Sequence, residues 1–345
     1  MRFELDAEQL ALRDAARELL TDHASSTRVR AVVDGPDGDR VDAELWKAMV
    51  DQGWTGIAAP ESAGGLGLGW VEAAVVLEEV GRHVAPAPVL GTLVAIDGLT
   101  RAGLDRLAEP LIAGDGWGAA ASTGRRELVP GAPGARVVVA VRGQELVAIE
   151  PTPGAIAAEP AMDRTRGLGW FDPTDNAIAP ATTTLGGPVA VERHVQVGAV
   201  AHASELLGCA QRMLDDSVAY ARDRVQFGKP IGSFQAVKHR CADMLVDVEG
   251  MRSAVWWAAW CVSTGHADAA VAASTAKAWC SDAGLRVCQS AMQVHGGIGF
   301  TWECDVHLHL KRAQLDAIAF GDAPHHQTRL AALLRARVEA GQPVL

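Results

Sequence analysis

Apolar residues recur at helical spacing from the start of the chain. Leu10, Leu12, Ala15, Leu19 and Leu20 follow Asp6, which is placed to cap the helix they predict. The same period predicts a helical region across residues 6–115, interrupted by a turn-rich stretch at 53–69. A second clear helix is expected over 70–84, with Glu78, Glu79 and Arg82 on its solvent side and Pro86 and Pro88 ending it. Between residues 116 and 187 the pattern changes, and glycine, proline and β-branched residues dominate. Residues 137–141 and 145–149 flank Arg142, Gly143 and Gln144, which predicts a β-hairpin. The helical period then returns over 189–223, 235–264, 267–294 and 305–340. His307, His309, Lys311 and Arg312 fall on the exposed start of the last stretch. Four long helices with short connections make a bundle the expected arrangement. The predicted fold is mostly α with a small, shortened β domain: an N-terminal helical domain at 1–115, a middle β domain at 116–187 and a C-terminal four-helix bundle at 188–345.

Composition narrows the function. A chain of 345 residues with 49% hydrophobic content is long enough for two or three packed domains. Its formal net charge of −11 excludes nucleic acid as the expected partner, because phosphates need a basic face. Cys209, Cys241, Cys261, Cys280, Cys288 and Cys304 are widely spaced. That implies reduced, buried thiols rather than a zinc site or a disulfide framework. The first six residues, Met1 to Asp6, lack the basic and apolar regions of a signal peptide. The most apolar run, residues 254–262, is too short to cross a bilayer. A cytoplasmic protein with no membrane partner is expected.

Two segments carry the candidate chemistry. Residues 224–235 offer a cation, two amides and two aromatic rings: Arg224, Gln226, Phe227, Phe234 and Gln235. Residues 293–303 offer Gln293 followed by the bare backbone of Gly296 and Gly297. Charge suits a diphosphate, amides suit polar edges, and glycines allow close backbone approach to a dinucleotide. Both segments, in this order, resemble the flavin-contacting motifs of the acyl-CoA dehydrogenase family. Gly53, Trp54, Pro60, Glu61, Gly64 and Gly65, with Glu78, Glu79 and Arg82, are similar to the family's first domain. The resemblance spans essentially the whole chain.

That resemblance implies FAD as cofactor and an acyl-CoA thioester as substrate. It implies that Arg224, Gln226, Phe227, Phe234, Gln235, Gln293, Gly296 and Gly297 grip the adenine and diphosphate end of a neighbouring subunit's flavin. It also exposes what is missing. The family's catalytic carboxylate falls at Phe320, an alternative position for it at Gly198, and an arginine that would meet the coenzyme at Ala199. The family's ring-holding strings are absent between 116 and 187, where Trp117 and Trp170 stand in different surroundings. Glu205, two helical turns from Gly198, is the remaining candidate base. Its competing reading is a core carboxylate paired with a basic residue. Asp322 would have to move to act in place of Phe320.

Other groups take plainer readings. His307 and His309 are two apart on a helix and cannot share a metal, so no metal site is expected. His325 and His326 are expected in solvent. Trp256, Trp257 and Trp260 read as packing. The glycines of 64–69 read as a loop between helices rather than a phosphate loop.

Four functions remain open. The first is the non-catalytic subunit of a hetero-oligomeric acyl-CoA dehydrogenase, with a homologous catalytic partner. It is similar to the short chains of the actinobacterial α2β2 enzymes of steroid side-chain catabolism. The second is a self-sufficient homo-oligomer with Glu205 as base. The third is a non-catalytic interaction protein on the same fold. The fourth is a flavin oxidase of another acidic C–H substrate such as a nitroalkane.

Overall fold

The computed structural model describes residues 4–343 except 37, 39 and 179. Met1, Arg2 and Phe3, on which part of the signal-peptide reading falls, lie outside the described residues. Six helices open the chain: α1 (Ala7–His23), α2 (Ser26–Asp34), α3 (Ala43–Asp51), α4 (Trp70–Arg82), α5 (Val89–Arg101) and α6 (Asp105–Ile112). Asp6 caps α1 in a reciprocal box with Gln9, each side chain accepting from the other's backbone N–H.

Six strands follow: β1 (Gly118–Ala121), β2 (Glu127–Pro130), β3 (Val137–Arg142), β4 (Glu145–Glu150), β5 (Leu168–Phe171) and β6 (Ala181–Gly186). They form a four-stranded sheet in the order β1-β3-β4-β6, with β2 and β5 paired separately. The expected hairpin is β3–β4, closed at Gly143 with φ +65°. Its buried residues alternate between two cores. Val137 and Val139 pack toward α5 and α6, and Val138 and Ala140 pack within the β region.

The bundle begins with α7 (Pro188–Asp223). A short hairpin follows, β7 (Val225–Gln226) with β8 (Lys229–Pro230), and then α8 (Gln235–Thr264) and α9 (Ala269–His295). The fourth predicted helix is two: α10 (Val306–Ile318) and α11 (Ala323–Glu339). The break is at Phe320 and Gly321, at φ +55° and +97°. Lys277 holds it from α9. Its buried Nζ donates to Ala317 O at 2.9 Å, a carbonyl in the last turn of α10, and to Gly321 O at 2.7 Å in the break itself.

Helices α4 and α7 cross with almost no space between them. A Cβ at Gly208 would lie 1.8 Å from Glu78 O, and one at Gly81 would lie 2.0 Å from Glu205 O. Two small residues facing each other set the depth of the bundle against the N-terminal helices.

Several exposure expectations fail for one reason: a charged face of a helix was read as wet where a second element covers it. Glu78 and Glu79 are buried, paired with Arg252 and Arg17 at 2.6 Å each, while Arg82 is partly covered. His307, His309 and Arg312 are buried rather than exposed, and Lys311 is half-buried. His326 is buried with Nε2 donating to Phe320 O, and only His325 faces solvent. Of the six free thiols, Cys241 and Cys304 are only half-buried. Trp256, Trp257 and Trp260 pack on the main core, as the plainer reading had it.

Two outcomes follow for stability. Gly208→Ala should cost about 3 kcal/mol, read as a lower denaturant midpoint with an unchanged slope, because neither helix backbone can yield. Burial pushes His194, His309 and His326 down to about 4, against 6.5 for the free side chain. The unfolded chain therefore binds protons between pH 6.5 and 4 that the folded chain refuses. Stability should fall through that window, by roughly 3 kcal/mol per histidine at most, and His326→Gln should flatten the fall in a pH series of unfolding midpoints.

Candidate functional site

The end of α7 and the end of α9 are joined by a ring stack: Tyr220 on His295, centroids 4.5 Å apart. Arg224 N–H donates to Tyr220 O at 2.9 Å, and Gly296 follows His295 directly. The two segments singled out in the sequence thus lie at one end of the bundle. Arg224, Gln226, Phe227, Gln235, Gln293 and Gly297 are exposed there, and Phe234 and Gly296 are half-exposed.

Phe227 and Gly228 form the two-residue turn of the β7–β8 hairpin, at φ +53° and +79°. A left-handed phenylalanine is strained, and this one leaves its ring 91% exposed. Phe234 meets it edge-on at 6.1 Å, with Lys229 over the Phe234 ring at 4.5 Å. Arg224 makes no ion pair among the described residues. At Gly296, φ +63° and ψ −140° suit only glycine, and an added Cβ there or at Gly297 would meet nothing within 4 Å. The cluster offers a cation, three amides, an open ring and bare backbone, all toward solvent. Those groups fit the tail of a dinucleotide and include no acid or base for catalysis.

The second region is an interior chamber between the N-terminal helices, the sheet and the bundle. It keeps only about 30 Å³, room for a water or two and far too little for a tricyclic flavin ring. Phe320 fills it. The two positions at which a base was sought face each other: a Cβ at Gly198 would lie 2.1 Å from the Phe320 ring. His194 and His202 flank that ring at 5.3 and 5.5 Å. Ala199 is fully buried and offers no group to a ligand. Asp322 is not available to the chamber. Its carboxylate caps α11 and accepts from His325 N–H at 2.9 Å.

Glu205 lines the chamber inside a network of charges. Its Oε1 accepts from Arg312 Nη1, and Oε2 lies 3.3 Å from Arg166 Nη2. Arg312 also donates through Nε to Asp163 at 3.2 Å and Thr165 Oγ1 at 3.0 Å, and through Nη2 to Val84 O and Ala85 O at 3.3 Å. Arg166 pairs with Asp316 at 2.7 Å, which accepts from His202 Nδ1–H at 2.9 Å. Burial lowers His202, so its contact with Asp316 is a hydrogen bond from a neutral ring. Burial opposes charge on Asp316, but Arg166 and the His202 hydrogen bond outweigh it and hold the carboxyl below its usual range. His202, Glu205 and Asp316 have the donor types of a metal site. Arg312 and Arg166 already donate to Glu205 Oε1 and Asp316 Oδ1, while Glu205 Oε2 and Asp316 Oδ2 have no hydrogen-bond partner among the described residues.

Sequence reasoning placed Glu205 and Phe320 in one region but missed the groups around them. The i,i+4 spacing of Arg312 and Asp316 was visible, as was Asp163 three residues before Arg166. Neither showed that these charges face inward.

The family model described as acyl-CoA dehydrogenase, N-terminal domain, matches residues 6–111, and that of the C-terminal domain matches residues 186–334. Acyl-CoA dehydrogenase IpdE2 of Mycolicibacterium smegmatis is 36% identical over 330 residues, covering 94% of this chain and 98% of that protein. The Tcur3481-Tcur3483 steroid ACAD G363A variant superposes with a TM-score of 0.86 at 29% identity, covering 96% of this chain and 99% of that one. The ChsE4-ChsE5 complex from Mycobacterium tuberculosis superposes at 0.84 and 26% identity, covering 97% and 99%. With both terminal domains matched and a relative of this identity aligned along nearly its whole length, the chain belongs to the acyl-CoA dehydrogenase family.

Proposed function

We propose that this chain is a subunit of a hetero-oligomeric, FAD-dependent acyl-CoA dehydrogenase of α2β2 type. It completes the binding site of a flavin whose ring and catalytic base belong to a homologous partner subunit. The observation that carries this reading is one open half-site beside one filled chamber in the same chain. A bound FAD supplies the hydride acceptor for α,β-desaturation of an acyl-CoA thioester. The role of this chain is to hold its tail. Arg224 pairs the diphosphate, Phe227 covers the ring system of the adenine end, and the amides of Gln226, Gln235 and Gln293 take its polar edges. Gly296 and Gly297 let the backbone come close, and Phe234 braces Phe227. The domains are taken as 1–115, 116–187 and 188–345, and the site of action as the cytoplasm. A steroid side-chain CoA thioester as substrate is supported by the names of the solved relatives, one a steroid ACAD. An unequal pair is supported by the two-component complex among them.

Phe320 explains why the own site is taken to be silent. It has no group that accepts a proton, and its ring occupies the volume a substrate would need. A second reading has one observation behind it: Glu205 lines the chamber, and its Oε2 has no hydrogen-bond partner among the described residues. In that reading the protein is a self-sufficient homo-oligomer with Glu205 as base.

Two experiments separate the possibilities. The chain purified alone should be colourless. Co-expressed with its partner it should give one FAD per two chains by absorbance. Arg224→Ala should then loosen FAD in the complex by about tenfold or more, since charge-assisted hydrogen bonds contribute roughly 1.5–3 kcal/mol. Stoichiometric FAD and full turnover in the lone chain would reject the unequal pair, and an unaffected Arg224→Ala complex would leave only a non-catalytic interaction role. Glu205→Gln should lower stability by about 3–5 kcal/mol, because it strips a buried guanidinium of its counter-charge. Normal stability and FAD content with turnover abolished would instead identify Glu205 as the base.

A further inference from the structure

A third region lies outside both the half-site and the chamber. It is a groove bounded by α5, the β4 and β6 side of the sheet, the first turns of α7 and the α8–α9 connection. It offers about 580 Å³, open to solvent on one side and within the range that takes a small molecule. The space exists because its walls carry little side chain: Gly98, Gly186, Gly187 and Gly265, with Ala102 and Ala190. Leu146 and Leu185 make the apolar floor, their Cδ atoms 3.6 Å from a Cβ built at Gly98.

Charge on the groove is unbalanced. Arg193 and Arg101 face a single carboxylate, Asp97. Arg193 takes it with two nitrogens, at 2.9 and 3.2 Å, and Trp70 Nε1 donates to it at 2.9 Å. Arg101 reaches it only at 3.3 Å, and its side chain is 57% exposed. His266 looks to Asp268 at 3.5 Å, and Asp268 is also paired with Arg337. Two guanidinium groups at this rim thus share one carboxylate, with Arg101 the more exposed and more distant of the two.

His194, which lines the groove, carries a second unmet need within its buried ring. His194, 2% exposed, donates Nε2–H to Ala121 O at 3.0 Å, so its Nδ1 is an acceptor. That Nδ1 has no partner among the described residues. A buried acceptor without a partner calls for an explanation in a water or a ligand.

We propose that this groove binds an amphipathic monoanion. The aliphatic or alicyclic body lies on Leu146, Leu185 and Ala190. The carboxylate meets Arg101 at the rim. A hydroxyl on the buried end, or a water carried with it, answers His194 Nδ1. The His194 and Phe320 rings stand between this groove and the filled chamber, so the site needs neither the flavin nor the half-site that holds it.

The test is calorimetric titration of the full chain with decanoate at low ionic strength, with decanol as the uncharged control. Decanoate should bind saturably at one per chain and decanol about tenfold more weakly or worse. Arg101→Gln should weaken decanoate about tenfold, Ala190→Phe should remove binding by filling the groove, and Arg224→Ala should leave it unchanged. Absence of saturable heat at millimolar decanoate would overturn the proposal. So would equal affinity for decanol, or wild-type affinity in Arg101→Gln. Should Ala190→Phe fail to fold, Arg101→Gln decides alone, since its side chain is more than half exposed.

Discussion

The Arg312 guanidinium is the group around which this protein closes. Fully buried, it must find an acceptor for every N–H. It finds them in three parts of the chain: the carbonyls of Val84 and Ala85 after α4, Asp163 and Thr165 from the β region, and Glu205 on α7. Arg166, Asp316 and His202 extend the same network. Each charge is tolerable only because the others are in place, so the three regions must arrive together. The Gly81–Gly208 crossing sets how closely α4 and α7 approach, and the charges then lock that distance.

This constraint also shapes the interior. A chamber meant for a thioester and a flavin ring needs volume and a carboxylate free to take a proton. Here the carboxylate nearest the chamber is engaged by two arginines, and Phe320 takes the volume. The strained backbone at Phe320 and Gly321 is held by Lys277 and by His326, both buried for that purpose. The opposite holds at the far end of the bundle. There Phe227 is strained too, yet nothing among the described residues covers it. Strain that leaves an aromatic ring in solvent is intelligible where the covering surface comes from another molecule.

Much of the architecture was legible because it rests on local rules. The Asp6 cap, the Gly143 hairpin and the start of α7 at Pro188 depend on neighbours a few residues away. The eight residues proposed to hold a flavin tail were singled out because their chemistry is unusual for a loop, and the fold brings their two segments to one end of the bundle. The exposure errors have one source. Glu78, Glu79, His307, His309, Arg312 and His326 lie in amphipathic or polar-looking stretches, and a helix cannot report whether its charged face meets water or another charged face. The break between α10 and α11 was missed because the helical period runs through it. Lys277, 44 residues earlier, and His326 stabilise the interruption.

The sequence alone determined the order of the elements, the family and the absence of a proton-accepting group at position 320, because those follow from residue type and spacing. Tertiary structure decided what that absence means. It placed the Phe320 ring against Gly198, drew Glu205 into a buried ion network and left Arg224 facing outward with no ion pair among the described residues. Those outcomes depend on which residues distant in the chain meet in a low-dielectric interior. Hydrophobic periodicity carries no information about that pairing.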